Sequence, residues 1–567
     1  MSTRRPGATP VENDLTDLWA RLNPVAGYTS GWVTGLPELF IATPAAITEA
    51  RADLQDLEPA VAAIPDADLR AAATKQLRLL RTQLAYPQPG LAVQDCGDGA
   101  FYIGLKEDFD APFVPKFLVS AAGKVAFETT RLVGVELDAV HRRQCLDAAA
   151  YCRQTVSILG DNNPALKPGV EEVEARLDQF VRLVTVPGLD SDDFATMYLA
   201  MRRATTGPSI TAGYPALLRD LYDFTQSASD IDLTALAWLE QDLPVLTELA
   251  RELAETLGLP ATASVGDVWA AVSVRYAVPG DLMTFAEKAA RVCNAFAAEY
   301  LVAITPADHV VLKPTPSYLA PVVTGGQDIA VDYLTDKPVA YLYLTPAKNQ
   351  SMLTMLNIMV HEFSHGFNFV LAAKHAGSPL LNLGGPMQVA LTEGQAFWRE
   401  WEYWNAAATA YGGDLTPVQQ AYLALYGSTE AEQSRAIRAA QFETYVWRVV
   451  RYLRALCDVQ VNSGWRTLVG FLDWAAETTG LSVEFLYGEC FTFLAQPGYA
   501  PAYAVDGIEY GRLQREALAR GVTQLRYDTY ASAMGFFPWT TCAARLAALE
   551  PSEPAHPLNG RAGEAPL

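Results

Sequence analysis

The sequence predicts a mainly α-helical protein with a small antiparallel β-sheet beside a metal-binding helix. Three observations carry that prediction. Apolar residues recur at helical spacing through most of the 567 residues. Short β-branched and aromatic runs cluster between His309 and Leu344. Shortly after them the chain reads His361-Glu362-Phe363-Ser364-His365, which sets two imidazoles one helical turn apart on one face.

From Val11 to about Ile304 the pattern is helical. Ala67 to Leu84 places Leu69, Leu77, Leu80 and Leu84 near helical spacing with charges between them. Similar stretches are predicted over Ala126 to Leu159, Val170 to Val184, Leu233 to Leu257 and Thr284 to Leu301, separated by breakers such as Asn163-Pro164, Pro187-Gly188 and Pro279-Gly280. No repeat of fixed period is present, which argues against a solenoid.

The texture changes after Pro306. His309 to Leu312, Ile329 to Leu334 and Val339 to Leu344 read as strands of an antiparallel sheet. The last, VAYLYL, alternates Tyr341 and Tyr343 with Leu342 and Leu344. A strand placed directly before a metal helix can offer a free edge to an extended peptide, which makes Tyr341 and Tyr343 candidate substrate-binding residues. Thr345-Pro346 is expected to open the next helix, Thr as cap and Pro in its first turn. That helix should end near His375-Ala376-Gly377, with Lys374 and His375 facing the negative end of its dipole.

With six His and 64 acidic residues in the chain, a chance His-acid-x-x-His is expected only about 0.007 times. His361 and His365 can hold one ion, and Glu362, beside them, can take a proton from a water held there. His375 is too far along the helix to join them, and a dipole-capping role suits it better. The third ligand expected is Glu393, in Leu391-Thr392-Glu393-Gly394-Gln395-Ala396, 28 positions after His365. That interval lets one helix finish, a Gly-containing loop over Asn382 to Pro386 turn, and a second helix run to about Trp404. Two imidazoles and a carboxylate suit Zn2+ and leave one position open for water. Glu400, two turns beyond Glu393, is placed to orient a ligand histidine or to sit solvated, whereas Phe397, Trp401 and Trp404 read as core. Further helices are expected over Glu432 to Val459, Leu481 to Leu494, Ile508 to Ala519 and Ala531 to Leu549.

Half of the residues are apolar, enough for an extended core, and no apolar run reaches the eighteen or so residues of a membrane span. The formal charge of −22 disfavours nucleic acid and anionic membrane as partners. The seven cysteines are scattered, contain no C-x-x-C pair, and read as reduced core thiols. The first residues, MSTRRPGATPVENDL, carry no apolar signal segment, so a cytoplasmic protein is expected. No long linker divides the chain. Its expected organisation is a helical N-terminal subdomain (1–304), a sheet-plus-catalytic subdomain (305–549), and a disordered tail (550–567) rich in Pro and Gly.

The pair HEFSHG and LTEGQAFWREWEYW resembles the bacterial helical proteins called domain of unknown function 885, most strongly from about Val310 to Leu518. Those in turn are similar to carboxypeptidase Taq-like and neurolysin-like peptidases. The resemblance implies a clam-like, multi-helix body of the gluzincin type. It also implies that Tyr503, in PGYAPAYAVDG, matches a tyrosine able to donate its hydroxyl to an oxyanion, with Tyr510 as substitute if the register is shifted. Two departures touch substrate anchoring: Asn462 stands where a histidine is usual after Asp458, and an arginine usual shortly before the Pro-Gly is replaced near Thr492.

The function read from the sequence is therefore a zinc metallopeptidase acting on short peptides, with Glu362 as general base. The alternatives are a metal-dependent amidohydrolase of a small non-peptide amide, and a non-catalytic helical peptide-binding protein. An intact Glu362 argues against the last.

Overall fold

The computed structural model describes residues 5, 7–323, 326–335, 338–345, 351–402 and 415–551. Pro346, Trp404 and the expected tail from 552 onward lie outside the described residues. Among those described, twenty-two α-helices stand against three strands, so the chain is mainly α as predicted.

The chain divides into two compact units: Met1–Leu221 with Thr315–Thr324 and Gln460–Phe471, and Tyr222–Pro314 with Gly325–Val459 and Leu472–Leu567. The boundary expected at 304/305 thus falls inside the second unit. The chain passes between these units several times.

In the first unit, helix Ala67–Ala85 matches its predicted range, and Asp66 caps it by accepting from the Leu69 amide. Its apolar stripe is buried, with Leu77 and Leu80 at 3% and 0% exposure; burial of each such side chain stabilises by roughly 1.5–3 kcal/mol. The single stretch expected over Ala126 to Leu159 is instead two helices, Val114–Leu132 and Ala139–Asn162. Gly134, at φ 78°, breaks the run, and Asp138 caps the second helix through the His141 amide. In the second unit the stretch expected over Ala531 to Leu549 is likewise split, into Gln524–Ala533 and Trp539–Ala548. Gly535 at φ 86° turns the chain there, and Pro538 brings no amide to continue a helix.

The sheet belongs to the second unit. It comprises β1 (Val311–Pro314), β2 (Gly326–Val331) and β3 (Val339–Leu344), in the order β1-β3-β2. It is mixed rather than antiparallel: β2 pairs β3 antiparallel, with Ile329 opposite Tyr341, whereas β1 pairs β3 parallel, with Val311 opposite Tyr341. β3 is therefore the central strand, and the free edge expected beside Tyr341 and Tyr343 is taken on both sides. Tyr341 instead lies under the Lys313 ammonium at 3.9 Å, and Tyr343 is buried at 6% exposure.

Candidate metal centre

Helix α1 (Met352–His375) carries the histidine pair, and it is buried almost all round by Leu353, Met355, Met359, Phe363, Phe367 and Val370. Its opening differs from expectation. Ser351, not Thr345, is the cap, accepting from the Thr354 amide. The hydroxyls of Ser351 and Thr354 both donate to the buried Glu443 carboxyl, at 3.1 and 3.0 Å. Burial pushes Glu443 up to about 7, against the lowering effect of those bonds. The helix ends at His375 as predicted, with Gly377 just beyond at φ 73°.

Polar groups on so buried a helix need partners. Ser364 donates to the Val360 carbonyl at 2.8 Å, and the Asn357 amide donates to Glu400 at 3.3 Å. On the same face, His361 and His365 turn toward helix α2 (Pro386–Glu402), which supplies Glu393 and Glu400 seven positions apart.

His361 Nε2, His365 Nε2 and Glu393 Oε2 converge. The imidazole nitrogens are 3.1 Å apart, and Glu393 Oε2 lies 3.3 Å from one and 3.5 Å from the other. Among the described residues this is the one group of three or more His, Cys, Asp or Glu side chains that could hold a metal ion. The spacing tests the fit: a tetrahedral ion about 2.1 Å from each donor separates the donors by about 3.4 Å. The hydrogen bonding tests it independently. Glu400, buried at 1% exposure, accepts at 2.5 Å from His361 Nδ1. Burial opposes its charge, but Arg451 and His361 hold its carboxyl below the usual range, so it is an acceptor and Nδ1 must carry the proton. With Nδ1 as the donor to Glu400, Nε2 of His361 faces His365 Nε2 and Glu393 Oε2. Two imidazole nitrogens and a carboxylate oxygen directed at one point form a donor set that suits a cation.

The electrostatics agree. Burial works against an imidazolium at His361, yet hydrogen bonds to Glu393 and Glu400, with the charges of Glu400 and Glu362, push it up to about 10. Glu393 is held well below the usual carboxylate range: burial opposes this, and the two histidines outweigh it.

Glu400 also accepts from Arg451 at 2.6 Å, so the orientation of His361 is fixed from helix α3 (Glu430–Asn462). Glu362 is half-buried on the same helix turn as His361. Tyr503 stands in a π-helical turn, Ala502–Asp506, that leads into helix α4 (Gly507–Ala519). Its ring stacks 6.2 Å from that of His361, and the Arg451 and Arg454 guanidiniums lie 5.7 and 5.4 Å from its centre. Tyr510 does not share this place: it donates to Asp528 at 2.5 Å and accepts from Gln395 at 2.9 Å, a structural network behind α2.

The Thr-Glu-Gly run is explained by packing. A Cβ on Gly394 would meet the Asp506 carbonyl carbon and the Gly507 nitrogen at 3.0 Å, and one on Gly507 would meet the Phe397 ring at 2.5 Å. Backbone touches backbone here, which seats the tyrosine turn against the glutamate ligand. Sequence reasoning missed Tyr499, whose hydroxyl donates to Glu393 Oε1, and also Arg451. Tyr499 stands one helical turn before Tyr503, directly after the Pro-Gly, and that spacing was the available signal.

No family model matches the chain, and no curated protein matches it. Two solved structures share its fold. A candidate lipoprotein from Colwellia psychrerythraea is 14% identical with a TM-score of 0.63, covering 94% of this chain and 97% of its own. A candidate lipoprotein of unknown function from Shewanella oneidensis is 11% identical with a TM-score of 0.64, covering 94% of this chain and 98% of its own. The chain is thus a mainly helical protein of that shared fold with a possible His-His-Glu metal site. No described helix is long and apolar enough to cross a membrane.

Proposed function

We propose that the protein is a zinc-dependent metallopeptidase of the gluzincin type that hydrolyses short peptides. The observation that carries this reading is the convergence of His361 Nε2, His365 Nε2 and Glu393 Oε2 within 3.5 Å of one another, with Glu362 beside them on the same helix. Two nitrogens and one carboxylate oxygen select zinc over magnesium or calcium and leave a coordination position open. His361, His365 and Glu393 would hold the ion, which would supply the acidification of a water and the polarisation of a carbonyl.

The chain's own residues do the rest. Glu362 takes the proton as the water oxygen adds to the peptide carbonyl carbon, and returns it to the amine as the C–N bond breaks. Tyr503, next to His361, donates its hydroxyl to the oxygen on which negative charge develops. Burial pushes the Tyr503 phenol upward, and the nearby Glu393 charge adds to this, so it stays a protonated donor near neutral pH. Glu400 and Arg451 keep the His361 ring in the tautomer that presents Nε2. The motif pair HEFSHG and LTEGQA supports the same reading.

Digestion of a synthetic peptide library by the purified protein tests it. Cleavage that a chelator abolishes and added zinc restores is expected. A zinc-loaded protein that cleaves no peptide would remove the peptidase reading.

A further inference from the structure

Glu393 can serve as a ligand in two ways, and they have opposite consequences. A carboxylate free to turn offers both oxygens to an ion, raising the ligand number from four to five and crowding the position that water needs, whereas a carboxylate tied down by one oxygen offers only the other. In this chain Oε2 faces the two imidazoles, and Oε1 accepts the hydrogen bond of the Tyr499 hydroxyl. We propose that Tyr499 is a positioning residue that commits Glu393 to one-oxygen ligation and so keeps the fourth position open. This rests on the metal reading of His361, His365 and Glu393.

Tyr499 is itself held in place. The amide of Gly498 donates to both oxygens of Asp458, at 3.2 and 2.9 Å, and Asp458 is fully buried on α3. The Tyr499 carbonyl accepts from the Ala502 amide at 3.1 Å, closing the turn that leads to Tyr503. Its ring lies among those of Phe493, Tyr503 and Tyr222, at 5.6, 5.7 and 6.1 Å between centres. Backbone and ring are both anchored, so the hydroxyl cannot follow if Glu393 rotates. Ligation through both oxygens would weaken the charge-assisted hydrogen bond from Tyr499 to Oε1. The line Asp458, Gly498, Tyr499, Glu393 thus runs from the core of α3 to the ligand oxygen.

Tyr499→Phe keeps the ring and removes the hydroxyl. Parent and variant are loaded with cobalt(II), whose visible spectrum reports ligand number, and zinc affinity is measured by competition with a chelator. Both proteins should bind about one ion per chain. The variant's cobalt bands should weaken and shift, as expected for a change from four ligands to five, and its zinc affinity should fall about ten- to a hundredfold. A variant with the parent's spectrum and affinity overturns the proposal and leaves the metal site standing. A parent that binds neither ion overturns both. Should circular dichroism show that Tyr499→Phe does not fold, Asp458→Asn carries the test, because it loosens the grip on Gly498 and should give the same spectral change in weaker form. An unchanged spectrum there also overturns the proposal.

Discussion

Glu400 Oε1 and His361 Nδ1 lie 2.5 Å apart behind the candidate metal centre, and the same oxygen takes the Arg451 guanidinium at 2.6 Å. One buried carboxylate therefore fixes the His361 tautomer and compensates a buried cation. Glu400→Gln should lower zinc affinity by about ten- to a hundredfold. It should also destabilise the fold by roughly 3–5 kcal/mol, because Arg451 loses its charged partner in a buried setting. Chelator competition and chemical denaturation measure the two effects, and parental zinc affinity would deny Glu400 its orienting role.

Glu362→Gln should keep the metal and the fold and lose at least about a hundredfold in turnover, since it removes the base alone. Turnover close to the parent's would favour a peptide-binding protein that retains the motif.

Tyr503→Phe should lower kcat by about ten- to a thousandfold with KM nearly unchanged, because the hydroxyl contact strengthens as charge develops on the carbonyl oxygen. A purely structural hydroxyl predicts about 1 kcal/mol of lost stability and unaltered kcat. Steady-state kinetics beside a melting curve separates them.

Glu443 gives the cap of α1 a pH dependence. Its folded-state pKa, about 7, lies above the ordinary 4.5, so the folded protein binds the proton more tightly than the unfolded one. The associated stability is fully present below about 4.5 and is lost as pH rises through about 7. Glu443→Gln imitates the neutral form and removes this loss. The Tm of the variant relative to the parent should therefore rise between pH 5 and pH 8, and a Tm difference independent of pH would contradict the assignment.

Local signals in the sequence carried much of this description. Ala67–Ala85, Lys167–Val184 and Glu430–Asn462 follow from apolar periodicity to within a few residues, because a helix is held by contacts three and four positions apart. His361 and His365 are legible for the same reason, and Glu393 because a helix, a turn and a second helix fit the interval to His365. Pairings across longer separations left no such trace. The central place of β3 depends on β1 lying parallel to it, which no pattern within the strands encodes. Tyr499 reaches Glu393 across 106 residues, and Arg451 reaches Glu400 across 51. The turn that carries Tyr499 and Tyr503 packs on α2 where Gly394 and Gly507 let two backbones touch, and each glycine, read alone, is one small residue on a helix.

The metal site is the claim on which the rest depends, and elemental analysis tests it directly. The purified parent, exposed to zinc and then freed of loosely held ions, should carry about one zinc per chain, and His361→Ala, folded by circular dichroism, should carry close to none. A folded His361→Ala protein with undiminished zinc would show that His361, His365 and Glu393 are not the site.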